Sequence, residues 1–190
     1  MPDDSDPSRP VPDPAPAYAG RTIALVGLMG AGKSTVGRRL AEKLGRAFYD
    51  SDAEIEKAAG LSISDIFALH GEADFRRGEK QVIRRLLDLP PHVLATGGGA
   101  YLDPDTREVM RAKAITVWLN ADLETLWRRV QKRDNRPLLQ RADAKAHLSN
   151  LVIQREPYYS QADLVVHSKD GPHTNTVNAI LKALQTWTPQ

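Results

Sequence analysis

Thr22-Ile-Ala-Leu-Val26 runs straight into Gly27-Leu-Met-Gly-Ala-Gly32-Lys33-Ser34, and the segment from Lys33 to Leu44 then carries Val36, Leu40 and Leu44 at helical spacing. A short apolar run that ends at glycine is the mark of a buried parallel strand. Gly45 supplies the stop for the helix that follows. Between them the sequence matches G-x4-G-K-[ST] without a gap, in the strand–loop–helix context that the motif requires. Glycines let the backbone curl so that successive N–H groups point inward at phosphates. The helix N-terminus adds partial positive charge. Lys33 is placed to reach the β- and γ-phosphates, and the Ser34 hydroxyl to hold Mg²⁺. A chance match in a chain of this size is about a one-in-a-hundred event. The loop predicts nucleotide binding but does not identify an acceptor, because ATPases, switches and kinases all use it.

Working outward, strands and helices alternate. Strands are expected at 47–49, 92–96, 114–119 and 164–167. Helices are expected at 53–59, 64–69, 72–87, 122–130, 144–158 and 174–187. Alternation of this kind predicts an α/β fold with a parallel sheet covered on both faces. Ligands in such folds bind beyond the carboxyl ends of the strands. Residues 131–142 are polar, arginine-rich and aperiodic, so a loop is expected there. Residues 1–19 hold six prolines among Asp, Ser and Ala, which predicts a disordered tail ahead of one domain at 20–190.

Composition narrows the classes further. No run approaches the roughly 20 apolar residues of a membrane span, and the N-terminus lacks the basic start and apolar core of a secretory signal. The absence of cysteine removes disulfides, thiolate metal sites and a cysteine nucleophile, and fits a reducing cytosol. Asp3, Asp4, Asp6 and Asp13 face only Arg9 in the tail, which leaves a mildly basic domain within a net charge of +2. That suits anionic ligands and is too weak a bias for nucleic acid.

Four further clusters carry chemistry. Asp50-Ser51-Asp52 follows the second strand; if strand geometry continues, both carboxylates point to one side. Asp50 then suits Mg²⁺ through water, and Asp52 suits orientation of an attacking hydroxyl. The plain alternative is a helix N-cap. Phe75-Arg76-Arg77 lies in a helical stretch, where neighbours diverge by about 100°, so one arginine can face a cleft while the other faces solvent. Gly97-Gly98-Gly99 follows a buried strand and makes sense where a ligand must approach the backbone, or as a plain turn. Arg128, Arg129, Lys132, Arg133, Arg136 and Arg141 make a basic run that can act as a lid over phosphates. The run has no interleaved aromatics for base stacking, which argues against an RNA surface.

Together these features resemble the shikimate kinase family over about residues 21–187. The phosphate loop at 27–34 matches, as do Asp50-Ser51-Asp52, Phe75-Arg76-Arg77 and Gly97-Gly98-Gly99. So do Arg136-Pro-Leu-Leu139 and the Arg-x-Pro-x-Tyr pattern at 155–159. The resemblance implies a three-layer phosphate-loop kinase fold: a five-stranded parallel sheet in the order 2-3-1-4-5, an acceptor region at about 50–80 and a mobile lid at 131–142. It implies ATP as co-substrate and Mg²⁺ as cofactor, held by Ser34 and Asp50. Gly30, Ala31, Gly32, Lys33, Ser34 and Thr35 contact the phosphates in this reading. Arg129 lies against the adenine with Pro172 on its other side, and Arg136 descends onto the transferring phosphate. Asp52 binds shikimate hydroxyls as base or orienting group. Arg76 and Arg155 clamp the carboxylate, beside Gly97, Gly98 and Gly99. The expected catalytic set is Asp52, Lys33 and Arg136, in a cytoplasmic monomer without nucleic-acid or membrane partners. A small anion calls for bidentate arginines, which neutral acceptors do not. The rivals are a gluconate kinase of similar fold and a nucleotide-dependent RNA-binding or regulatory module.

Overall fold

The computed structural model describes residues 16–132 and 143–189. The sheet grows from its central strand β1 (Thr22–Val26), in which all five residues are buried. β1 pairs in parallel with β3 (Val93–Ala95) on one side and with β4 (Ala114–Asn120) on the other. The outer strands are β2 (Phe48–Asp50), paired with β3, and β5 (Leu164–His167), paired with β4. The order is therefore β2-β3-β1-β4-β5, all parallel, as the resemblance implies. Leu25 registers with Ala95 and with Val117, so the carboxyl ends of the three inner strands align and their following loops meet.

The helices are α1 (Lys33–Leu44), α2 (Ser51–Ala59), α3 (Ile63–Leu87), α4 (Pro104–Lys113), α5 (Leu123–Gln131), α6 (Ala144–Tyr159) and α7 (His173–Gln185). Their starts are chemically specified. Ser62 caps α3 by accepting from the Asp65 N–H at 3.1 Å, and Asp122 caps α5 by accepting from the Thr125 N–H at 2.8 Å and hydroxyl at 2.9 Å. The backbone and hydroxyl donors of Thr125 hold the Asp122 carboxyl below its ordinary range. Gly45 closes α1 in the left-handed conformation, its N–H bonding to the carbonyls of Ala41 and Glu42.

The two helices expected at 64–69 and 72–87 are both present within α3, which is broken at Gly71, whose φ of 78° and ψ of 175° no helical residue adopts. Other expectations are corrected. Helix α4 and the 3-10 turn Ala100–Leu102 before it were not anticipated. α4 buries only Thr106 and Met110, so its apolar stripe is too narrow to stand out; its signal is Asp103-Pro104, an N-cap followed by proline in the first turn. Residues 16–19, assigned to the tail by composition, are tied to the domain. Arg46 donates to the carbonyls of Tyr18, Ala19 and Arg21, and its guanidinium lies over the Tyr18 ring. The rest of the predicted tail and positions 133–142 of the predicted lid, Arg136 included, lie outside the described residues.

Candidate active site

A cleft of about 1990 Å³ opens at the carboxyl ends of β1, β2 and β3. One end is the loop between β1 and α1. Gly27, Gly30 and Gly32 all have positive φ, at 133°, 83° and 98°. A side chain at Gly27 would also meet the Leu119 carbonyl at 2.8 Å, so glycine is required there by space as well as by conformation. Lys33 is buried, and its Nζ donates to the carbonyls of Gly27 at 2.7 Å and Leu28 at 2.9 Å. Gly30, Gly32, Lys33, Ser34 and Thr35 line the cleft. Ala31 is buried beneath it; its N–H bonds to the Leu28 carbonyl at 3.2 Å, and its own carbonyl accepts from the Ser168 hydroxyl at 3.0 Å.

The acidic pair is built differently from a continuing strand. β2 ends at Asp50 and α2 begins at Ser51, so Asp50 is the N-cap and Asp52 sits in the first helical turn. Asp50 Oδ1 accepts from the Asp52 N–H at 3.1 Å, while Oδ2 accepts from the Ser34 hydroxyl at 2.6 Å. The capping alternative is thus realised through one oxygen of Asp50, while the other oxygen is bonded to Ser34 of the phosphate loop. The Ser34–Asp50 pair offers a hydroxyl and a carboxylate, hard oxygen donors that fit Mg²⁺. Among the described residues there is no group of three or more His, Cys, Asp or Glu that could hold a metal. Mg²⁺ needs none, since it retains waters and is held by one or two protein oxygens together with substrate phosphates.

The other end of the cleft gathers Asp52, Phe67, Phe75, Arg76, Glu79, the glycine turn and Arg155. Arg76 is partly buried, while Arg77 is exposed and paired with Asp74 at 2.6 Å, so the helix does divide the two arginines. Arg76 Nη1 donates to Glu79 Oε2 at 2.6 Å, and Nη2 reaches Glu72 at 3.4 Å. Burial works against the Arg76 cation, but pairing with Glu79 and Glu72 outweighs it and holds the group firmly charged. Glu79 is 3% exposed, and burial pushes its carboxyl up more than Arg76 pulls it down, with the Asp52 charge adding to the rise. Its Oε1 is buried with no hydrogen-bond partner among the described residues. A Cβ at Gly97 would stand 2.7 Å from Asp52 Oδ1 and 2.8 Å from Glu79 Oε1, and one at Gly99 would stand 2.6 Å from Arg76 Nη1. Glycine is what lets the backbone pass this close to a carboxylate pair and a guanidinium.

Comparison with known proteins settles the family. The description "Shikimate kinase" matches residues 29–185. The chain belongs to the shikimate kinase family. A shikimate kinase of Paramagnetospirillum magneticum is 56% identical over 168 residues, covering 88% of this chain and 86% of that protein. One from Caulobacter vibrioides is 56% identical over 173 residues, covering 91% and 86%. The solved shikimate kinase of Acinetobacter baumannii in complex with shikimate superposes with a TM-score of 0.83 at 40% identity, over 88% of this chain and 94% of that one. A gluconokinase from Sinorhizobium meliloti, at 21% identity and a TM-score of 0.60, shares the fold alone.

Arg129 and the segment before α7 lie at the phosphate-loop end of the cleft. Arg129 lines the cleft, with Nη1 on the Ser168 hydroxyl at 2.9 Å and Nη2 on the Lys169 carbonyl at 2.8 Å; burial lowers its pKa from the ordinary arginine value. Pro172 lines a neighbouring small cavity with His167 and Lys169, while Gly171 and His173 beside it line the cleft. Glu79, Phe67 and His173 were not singled out in the sequence. Phe67 stacks on Phe75 with ring centroids 4.6 Å apart at the wall of the cleft. Glu79 had a readable signal: it stands three residues after Arg76, on the same helical face.

Proposed function

We propose that this chain transfers the γ-phosphate of ATP to the 3-hydroxyl of shikimate, releasing ADP and shikimate 3-phosphate. The observation that carries the reading is the two-ended cleft: a phosphate loop at one end, and at the other a carboxylate, Asp52, across a glycine turn from two arginines, Arg76 and Arg155. The phosphates fit the curled loop and the N-terminus of α1, with Lys33 turning from the loop carbonyls to the β- and γ-oxygens. Mg²⁺ at Ser34 and Asp50 would neutralise phosphate charge. The acceptor carboxylate pairs with Arg76, which Glu79 holds in place, and with Arg155.

Asp52 accepts a hydrogen bond from the 3-hydroxyl and aims its oxygen at the γ-phosphorus. As the new O–P bond forms, the bond to the β,γ-bridging oxygen breaks and the hydroxyl proton passes to the Asp52 carboxylate. Because such transfers are loose, little nucleophilic push is needed, and the work of Asp52 is mainly positioning. Arg136 is assigned to the transferring phosphate on the resemblance. No helix among the described residues is long and apolar enough to cross a membrane. We place the reaction in the cytosol, carried out by a monomer, in the aromatic branch that consumes shikimate. The test is ADP release with Mg-ATP and shikimate, gluconate or no acceptor. Dependence on shikimate is expected; release with gluconate instead would move the acceptor assignment, and acceptor-independent hydrolysis would remove it.

A further inference from the structure

The hydrogen bonds of the glycine turn are divided unevenly. The Gly97 N–H donates to the Ser51 hydroxyl at 2.9 Å, and the Gly97 carbonyl accepts from the Ala100 N–H at 3.2 Å. The Gly99 carbonyl accepts from the Leu102 N–H at 3.1 Å. The Gly98 carbonyl accepts from two side chains of α6, Arg155 Nη1 at 3.1 Å and the Tyr159 hydroxyl at 2.5 Å. All three carbonyls are therefore occupied. The N–H groups of Gly98 and Gly99 have no hydrogen-bond partner among the described residues.

The peptide joining Gly98 to Gly99 is planar and trans, so its C=O and its N–H point in opposite directions. Fixing the Gly98 carbonyl on α6 therefore directs the Gly99 N–H away from α6, and Arg76 lies against Gly99. With glycine on both sides, rotation of this peptide unit meets little steric resistance. Without an anchor the free donor would have no set direction. Arg155 alone is a poor anchor, because its guanidinium is also wanted by an anionic acceptor. Tyr159 is a better one. It is 1% exposed, its ring is held by the core near Trp118 at 6.0 Å between centroids, and burial raises its pKa so that the phenol keeps its proton. It stands one helical turn after Arg155, which is why both reach the same oxygen.

We propose that Tyr159 is a positioning residue for the acceptor: its hydroxyl locks the Gly98–Gly99 peptide so that the Gly99 N–H faces the bound acceptor, and it shares the Gly98 carbonyl with Arg155 so that this guanidinium is held ready beside the acceptor carboxylate. The inference rests on the reading of the cleft as a shikimate site. It assigns a task to Tyr159, the tyrosine of the Arg-x-Pro-x-Tyr pattern.

Tyr159→Phe in the full chain removes one oxygen and keeps the ring. The KM for shikimate should rise about fivefold to tenfold, as expected for the loss of one buried hydrogen bond. The KM for ATP and kcat should stay within about twofold, because an interaction made equally in ground and transition states changes KM alone. A purely structural role would instead raise both KM values together in step with a fall in Tm, and that outcome overturns the proposal. So does an unchanged shikimate KM. Amide hydrogen exchange at Gly98 and Gly99, measured without substrate, reads the lock directly: faster exchange in the variant, with the 27–35 loop unchanged, upholds it, and equal exchange overturns it. If the wild-type protein releases no ADP with shikimate, the functional reading fails on its own, and the exchange measurement still decides the lock.

Discussion

At the scale of single residues, several charged groups of the site are held by protein partners before any ligand arrives. Lys33 is the clearest case, its ammonium stored on two carbonyls of its own loop. Lys33→Met should abolish ADP release, while losing only about 1–2 kcal/mol of stability from the two unmade hydrogen bonds. Turnover near wild type would remove the loop assignment. Asp52→Asn should lower kcat about a hundredfold or more with the KM for ATP close to normal; a collapse of nucleotide affinity would make Asp52 a structural or metal-supporting group instead. Lys33, Ser34, Asp52 and Arg76 were legible in the sequence because each sits in a short motif with its own chemistry. Glu79 was less legible, since a glutamate in a charged helix is ordinarily solvated, and its spacing from Arg76 gains weight only with its burial. Gly171 and His173 were not readable as cleft residues, because the segment before α7 carries no spacing rule that fixes which residue faces the cleft.

At the scale of elements, most strands and helices were readable because apolar periodicity and capping residues agree. The failures have local causes: α2 starts earlier than its apolar pattern because Asp50 serves both as cap and as strand end, and α4 buries too little to show a stripe. Gly71 bends α3 between the part that carries Phe67 and the part that carries Arg76. Open space surrounds its missing Cβ, so Gly71→Ala meets strain from the backbone angles and not from crowding. The expected outcome is a loss of about 1–3 kcal/mol by thermal or denaturant melting, with a higher KM for shikimate and little change for ATP. Just before β3, His92 ties this strand to β1. Its Nδ1 lies 3.0 Å from the Pro90 carbonyl and 3.3 Å from the Thr22 hydroxyl, its buried Nε2 has no partner among the described residues, and its ring meets Tyr49 edge-on. Burial lowers its pKa from 6.5, and nearby Arg46 adds to the effect, so the unfolded chain takes up this proton first. The stability it contributes is complete above pH 6.5 and is lost as pH falls from there through the lowered native value. Tm should therefore decline as pH falls below 6.5, and His92→Asn, which can keep the bond to Pro90, should flatten that decline.

At the scale of the whole molecule, the cleft draws residues from α1, α2, α3, the glycine turn, α5 and α6, so occupancy at one end bears on the stability of the entire domain. Mg-ADP at a hundred times its Kd should stabilise the fold by about 2.7 kcal/mol, or roughly 5–10 °C in Tm. The same concentration should shift Lys33→Met much less; equal shifts would mean that the nucleotide binds elsewhere. The sheet order adds a temporal consequence. β1 comes first of the five strands along the chain, yet its two neighbours arrive last but two and last but one: β3 at Val93–Ala95 and β4 at Ala114–Asn120. The strand that carries the phosphate loop therefore waits, unenclosed, while about half of the domain is made, and closing around it requires contacts distant in sequence, which form slowly. A nascent chain emerging from the ribosome would display the complete motif long before it could grip a nucleotide, and affinity would arrive all at once, when β4 slides in beside β1.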